Sequence, residues 1–428
     1  MNFYQILAGI FIAAMLFFLA CGGNLSAAES SVSADLMAKE KGLPVETNRE
    51  GGDCPAFQAS AGFPDRNTIG CVLPLTGGYG ESGNKALDSI LLAAGIFDKK
   101  NEAPWRIVVE DSKKLSIGIK NAVERLSNKW NVIAIIAVAG TAEALDAARE
   151  ATRQKVPLVI ITSKEGITSG REYVFQHFLT RPQQVGALVK YAVNSLNYKT
   201  FSILYPKDSY GIEMTKIFSK EADRVGAKIA GAVPFSKKQA DFTQEINLIM
   251  GSGINIAKNF NADNPEIKTQ VPINFEALFI PDSYQRAKMI ASQLAFYEVK
   301  GFTLLGTSFW NSPDLLKKDA ACLEGAVFAD SFFVHSFSPE INDFVDLYYA
   351  AYGREPENIE ALSYDTMKMI IRVLEDKTIS TRKQLAAGFK KIKNYKGVTG
   401  DTSFSVDRVS QKTAFIMQIK DGKIEQVQ

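Results

Sequence analysis

From residue 69 onward, short apolar runs alternate with stretches whose apolar residues recur every three or four positions. The run at 69–73 is unbroken apolar sequence, as expected of a strand covered on both faces of a parallel sheet. A glycine-rich loop follows at 74–83. Leu87, Ile90, Leu91, Ala94 and Phe97 then fall at helical spacing, giving one apolar stripe to lay on that sheet. The same reading predicts strands at 106–110, 132–139 and 157–162, with helices at 117–130 and 142–154 between them. This βαβαβ order requires a parallel sheet with right-handed crossovers.

The pattern restarts after residue 180. Thr180, Pro182 and Gln183 form a helix start, with proline in the first turn. Strands are predicted at 201–205, 229–233, 277–280, 303–306 and 325–329, and helices at 213–225, 242–250 and 283–297. The polar stretch 251–274 interrupts this series and reads as a loop insertion. Two more helices, one following Ser338-Pro339-Glu340 and one at 359–374, precede a closing hairpin around Asp421-Gly422. The expectation is an α/β protein of two lobes, each a parallel sheet flanked by helices.

Length agrees with two lobes, since 428 residues exceed one typical core. Hydrophobic content of 46% and charged content of 22% are those of an ordinary globular chain. A net charge of +2 without a basic block argues against nucleic acid as partner. The Lys390–Lys396 cluster reads as a solvated face. His177 and His335 are the only histidines, and the four cysteines contain no CxxC pair, so no metal site and no cofactor are expected.

The first 20 residues carry no charged side chain, are almost wholly apolar from Ile6 to Ala20, and lead directly into Cys21-Gly22-Gly23. The segment resembles a bacterial lipoprotein signal with Cys21 as the acylated residue. It departs from that pattern in having no Lys or Arg ahead of the apolar run and a loose Phe18-Leu19-Ala20 before the cysteine. An uncleaved membrane anchor is the alternative. Either places the folded part outside the inner membrane, where Cys54, Cys71 and Cys322 could form at most one disulfide.

The stretches IGCVLPLTGGYGESG, VFQHFLTRPQQVGALVKY, FSILYPKDSYG, LFIPDS and LLGTSFWNSPDLL resemble, in that order, the type I periplasmic binding proteins of the leucine/isoleucine/valine-binding branch. LTRPQQ and QLAFYEVKGFTLLGTSFW are also similar to lipoproteins related to penicillin-binding-protein activators. The resemblance implies a clamshell with three interlobe crossovers. Residues 67–182 and 333–395 would form the N-terminal lobe, and 183–332 and 396–428 the C-terminal lobe. Residues 1–20 would be a signal peptide and 21–66 a tether. It further implies a small ligand, an amino acid by class, between the lobes. Thr76, Gly77, Tyr79, Gly140, Thr141, Thr162 and Ser163 would line the first lobe's side. Asp208, Tyr210, Asp282 and Trp310 would line the second, with Asp282 facing a ligand ammonium.

The residue chemistry suits such a ligand, because a carboxylate needs donors and an ammonium needs an anion. Thr141 reads as a helix N-cap, so its hydroxyl and the helix N-terminus would point the same way. Several of these residues also have a purely structural reading. Thr141 and Asp282 can be caps, Asp208 a turn or cap, and Tyr210 and Trp310 lobe packing. The partners implied are a membrane permease, as for a solute receptor, or a peptidoglycan synthase, as for an activator-like lipoprotein. A lipid anchor would hold the protein in the periplasm, with glycine rather than aspartate after Cys21 favouring the outer membrane.

Two enzyme-like motifs are set aside. Gly78, Gly80 and Gly83 fit GxGxxG, but Pro74-Leu75-Thr76 separates strand from glycines, where a dinucleotide turn is tighter. Ser380-Thr-Arg-Lys383 fits SxxK without the further motifs of acyl enzymes and reads as a helix start. With no GxSxG or HExxH, the chain is expected to be a binding protein and not an enzyme.

Overall fold

The structure, a computed structural model, describes residues 64–97, 104–113, 116–251, 273–317 and 320–428. The signal-like segment, Cys21, Cys54, nearly all of the 21–66 tether and most of the 251–274 insertion lie outside the described residues. The first lobe begins with β1 (Asp65–Leu73), α1 (Gly80–Ala93), β2 (Arg106–Asp111), α2 (Ser116–Asn128), β3 (Val132–Val138), α3 (Ala144–Arg153), β4 (Leu158–Ile161) and β5 (Val174–Gln176). Its five strands run parallel in the order β2-β1-β3-β4-β5. Residues 132–137 are buried without interruption, since helices cover both faces of the sheet.

Alternate strand residues enter two cores. Ile69, Cys71, Ile133 and Ile136 meet Ile90 of α1 together with Met369, Leu385 and Phe389 from late in the chain. Val72, Ile135 and Ala137 meet Val123, Leu126, Ala147 and Ala151 of α2 and α3 on the other face. Each fully buried aliphatic side chain of this kind contributes about 1.5–3 kcal/mol. Cys71 is one of them, its thiol pushed up to about 12 by burial, and it behaves as a small apolar residue.

The second lobe comprises α4 (Arg181–Asn194), β6 (Thr200–Pro206), α5 (Ser209–Arg224), β7 (Lys228–Phe235), α6 (Thr243–Met250), β8 (Ala277–Phe279), α7 (Tyr284–Phe296), β9 (Thr303–Gly306) and β10 (Val327–Asp330). The chain then returns to the first lobe with α8 (Pro339–Tyr352), α9 (Asn358–Leu374) and α10 (Arg382–Lys390). A small antiparallel sheet follows, of β11 (Tyr395–Gly397), β12 (Gly400–Phe404) and β13 (Ser410–Lys412). Last come β14 (Phe415–Lys420) and β15 (Lys423–Gln426), which pair antiparallel at one end of the second sheet, in the order β15-β14-β10-β9-β8-β6-β7. The expected hairpin is this pair.

The boundary expected at residue 396 falls later. Tyr395 and Phe404 pack in the first lobe's core, so the chain passes to the second sheet only after Lys412. Hydrophobic pattern does not reveal this, because β11–β13 are short and half-exposed.

A buried polar knot closes the first lobe where the chain enters and leaves it. Thr366 Oγ1 donates to Leu362 O at 2.7 Å, so it accepts from His177 Nδ1 at 2.8 Å. His177 Nε2 is thereby left to accept from Lys412 Nζ at 2.9 Å. The same ammonium donates to Thr399 Oγ1 and Thr402 Oγ1, both at 2.7 Å, so its three protons meet three acceptors. The Thr399 hydroxyl donates in turn to Asp365, which also accepts from Val398 N at 2.9 Å and Thr399 N at 2.8 Å. Burial, and then the Lys412 charge, hold His177 well below its ordinary value, so the ring is neutral. Burial brings Lys412 down to about 8, against the pull of Asp365.

Two outcomes follow. Asp365→Asn, which leaves the ammonium without its counter-charge, is expected to lower the unfolding free energy by about 3 kcal/mol in urea titrations. Lys412 titrates lower folded than unfolded, so the unfolded chain binds the extra proton above pH 8. Its contribution therefore rises as pH climbs from 8 toward 9.5, and Lys412→Met should flatten that rise in urea midpoints taken across the window.

Candidate functional site between the lobes

In a parallel sheet every strand ends at the same edge. The chain leaves the first sheet from the end of β5 and the parallel part of the second from the end of β10. Both strand-end edges therefore border the hinge. The loops on them, 74–79, 139–143 and 162–170 in one lobe and 207–208, 280–283 and 307–312 in the other, are the walls of the candidate cleft.

On the first wall, the Asp111 carboxylate fixes the opening loop. It accepts from Leu75 N at 3.0 Å, Thr76 Oγ1 at 2.7 Å and Lys113 N at 2.8 Å. Thr76, Gly77 and Tyr79 stand exposed on that loop, which turns at Gly77 with φ of +77°. Thr76 thus spends its proton on Asp111. Gly83 serves close packing of helix on strand: a Cβ there would strike the Pro74 carbonyl, so glycine lets α1 cross its own strand end.

Gly140 and Thr141 are also exposed, but Thr141 does not cap α3. The chain makes an extra turn, with Ala144 N on Gly140 O at 3.0 Å, and Glu143 takes the cap position without a side-chain bond. The Thr141 hydroxyl is consequently not spent on the helix. Thr162 is buried, and its Oγ1 accepts from Lys164 N at 3.3 Å. Gln176 Nε2 donates to Thr162 O at 2.8 Å and Lys164 O at 3.0 Å, which pins the turn that carries half-buried Ser163.

The second wall sorts differently. Asp208 caps α5 by accepting from Gly211 N at 2.7 Å and pairs with Lys237 at 2.6 Å. Burial alone would raise its carboxyl, and these two partners hold it below the ordinary range. Tyr210 lies with its ring 5.3 Å from that of Phe309 and 5.4 Å from the Arg181 guanidinium, and burial pushes its phenol up to about 12. Arg181 is in turn paired with Glu213 at 2.8 Å. Asp282 is half-buried, and its Oδ1 accepts from Ser283 N at 2.6 Å. Ser283, not Asp282, caps α7.

Trp310 departs from expectation. It is fully buried, its ring sits over Gly306 and 6.4 Å from that of Phe328, and its Nε1 donates to Asp282 O at 3.0 Å. It is lobe core and anchors the turn. The neighbouring Phe309, 54% exposed, is the aromatic residue this turn offers to the surface, and it was not among the expected residues. Two adjacent aromatics on one tight turn carry the signal, since only one of them can enter the core.

Two parallel-sheet lobes, hinged at their strand-end edges and lined there by short polar loops, define a two-lobe binding protein. Residues 67–423 match the family described as periplasmic binding protein, and the chain belongs to that family. A leucine-binding protein of Thermotoga maritima is 22% identical, with 84% of this chain and 97% of that one covered and a TM-score of 0.60. A branched-chain amino acid transporter substrate-binding protein of Streptococcus pneumoniae, solved with isoleucine, is 22% identical over 84% and 97%, with a TM-score of 0.61. A solute-binding protein of Rhodopseudomonas palustris, solved with 3,4-dihydroxybenzoic acid, is 19% identical over 84% and 95%, with a TM-score of 0.62. At these identities the likeness is one of fold. No curated protein sequence matches the chain.

If the Asp111 carboxylate is what orders the first loop, Asp111→Ala should speed amide exchange at residues 75–79 about tenfold or more, with the strand amides of β3 unchanged. Equal protection in variant and parent would show that the loop holds itself.

Proposed function

We propose that this chain is a solute receptor of the cell envelope that captures a small carboxylate ligand, an amino acid, between its lobes and delivers it to an ABC-type permease. The observation that carries this reading is the contrast between the two walls. The first presents exposed Gly140 and a Thr141 hydroxyl that its helix does not use, together with Ser163 on a pinned turn. These are donors of the kind a carboxylate requires. The second presents Asp282, which does not cap its helix, beside the apolar faces of Tyr210 and Phe309. An anion and an aromatic face suit an ammonium and an apolar side chain. Closure would bury the ligand through contacts that only the closed state makes. Thr76, Gly77 and Tyr79 would contribute loop backbone and one ring. Thr162 and Asp208 would act by holding their turns. Lipidation at Cys21 and attachment to the outer membrane belong to the same reading.

Calorimetry with the common amino acids, and with benzoate as a carboxylate that lacks an ammonium, tests this. An amino acid should bind. Asp282→Ala should weaken that binding at least about tenfold, roughly 1.4 kcal/mol, while leaving any benzoate binding unchanged. Silence from every amino acid, with a peptidoglycan synthase recovered on the immobilised protein, would replace the receptor reading with a regulatory lipoprotein that acts by protein contact.

A further inference from the structure

The second crossing between the lobes contains a buried carboxylate with partners on both sides. Asp330, the last residue of β10, is 4% exposed. Its Oδ2 accepts from Asn311 Nδ2 at 3.0 Å, and Asn311 belongs to the second lobe's 307–312 turn. Its Oδ1 accepts from Asn358 Nδ2 at 2.6 Å, and Asn358 is the first residue of α9 in the first lobe. Ser331 closes the ring, its N donating to Asp330 Oδ1 at 2.6 Å and its hydroxyl to Asn358 Oδ1 at 3.0 Å. Asn311 also donates to Phe332 O at 2.9 Å, further along the same crossing.

We infer that Asp330 is the positioning residue of the hinge: its carboxylate, held by Asn358 from one lobe and Asn311 from the other, sets the angle between the lobes and ties it to the turn that displays Phe309. The argument is one of geometry and cost. A hinge needs backbone that can rotate, yet residues 331–333 are all buried. A buried carboxylate without donors is costly, so the lobe orientation that brings both amides to it is favoured over others. Burial still pushes the carboxyl up to about 7 against the pull of Asn311, Ser331 and Asn358, so the donors offset its desolvation only in part and the loss of any one is felt. A ligand that shifts the 307–312 turn moves Asn311, and with it one side of this clamp. The binding-competent fraction, and hence the apparent affinity, then depends on Asp330 although no ligand touches it.

The test reads the ligand-free full chain, so it stands or falls apart from the choice of ligand. Spin labels introduced without cysteine chemistry at exposed Lys164 in the first lobe and Lys238 in the second report interlobe distance by pulsed dipolar spectroscopy. Asp330→Asn keeps the volume but sets an amide against two amide donors. Asn358→Ala removes the first lobe's donor from a half-buried position, and so remains informative if the Asp330 variant does not fold. Each is expected to shift or broaden the distance distribution. The double variant should go no further than the more severe single one, because both break the same ring. A purely local structural role would lower the melting temperature and leave the distances alone. Folded variants with the parent's distribution overturn the inference.

Discussion

A parallel strand can be followed by another only if the chain travels back along the sheet, so all strand ends collect at one edge. The rest of this structure depends on that constraint. Ten of the strands, β1 to β10, lie in parallel pairings within two sheets. Each sheet then gathers its strand-to-helix loops along one border and its helix-to-strand loops along the other, while both faces are occupied by helices. Since β5 and β10 lead directly into the first two crossings, the borders cannot point away from the hinge. The cleft is a consequence of topology before any side chain is chosen.

Side chains divide the labour accordingly. The lobes are held by ordinary apolar burial, whereas the passages between them are held by buried polar groups with directional needs. Lys412 finds three acceptors, and Asp330 finds donors on two lobes. Apolar contact is tolerant of small slips, and a hydrogen-bonded ionic group is not. The price is modest stability, because such knots are desolvated, and what they add is a defined orientation. The first crossing is also joined directly to β13, the strand that leads into the third, with Ser410 Oγ donating to Phe178 O at 2.9 Å and Gln183 Nε2 to Ser410 O at 2.8 Å. Such a hinge favours the orientation in which each buried polar group finds its partners.

Much of the fold was legible in sequence because it is written in period. The apolar run 132–137 and the proline start of α4 each correspond to an element near its expected bounds, whereas the stripe read for α1 is displaced, since Ile90 is buried but the helix ends at Ala93 and Phe97 lies exposed beyond it. What was not legible depends on partners far away in the chain. His177 and Lys412, 235 residues apart, look like an isolated histidine and a surface lysine until the fold brings them together. Phe404 belongs to the first lobe because Phe175 and Phe389 are there to receive it, with ring centroids at 5.5 and 5.8 Å. For the same reason Trp310, read as either cleft lining or lobe packing, proves to be packing, and its neighbour Phe309 is left at the surface: the space above Gly306 takes one ring.

The two glycines that open the leading helices show how a motif can be real while its usual meaning is not. Gly83 in α1 and Gly211 in α5 each lie against the carbonyl of a strand-end proline, Pro74 and Pro206, where a Cβ could not fit. Both lobes therefore solve one steric problem, bringing a helix back across the end of the strand that feeds it. In a dinucleotide-binding turn the third glycine serves the same packing, and it is the second that lets a pyrophosphate approach. Here the loop between strand and helix is longer in the first lobe, is pinned by Asp111, and carries Thr76 and Tyr79 outward over the helix start. The glycine spacing reports close packing of helix on strand, and what the edge binds is decided by the residues that the loop leaves exposed.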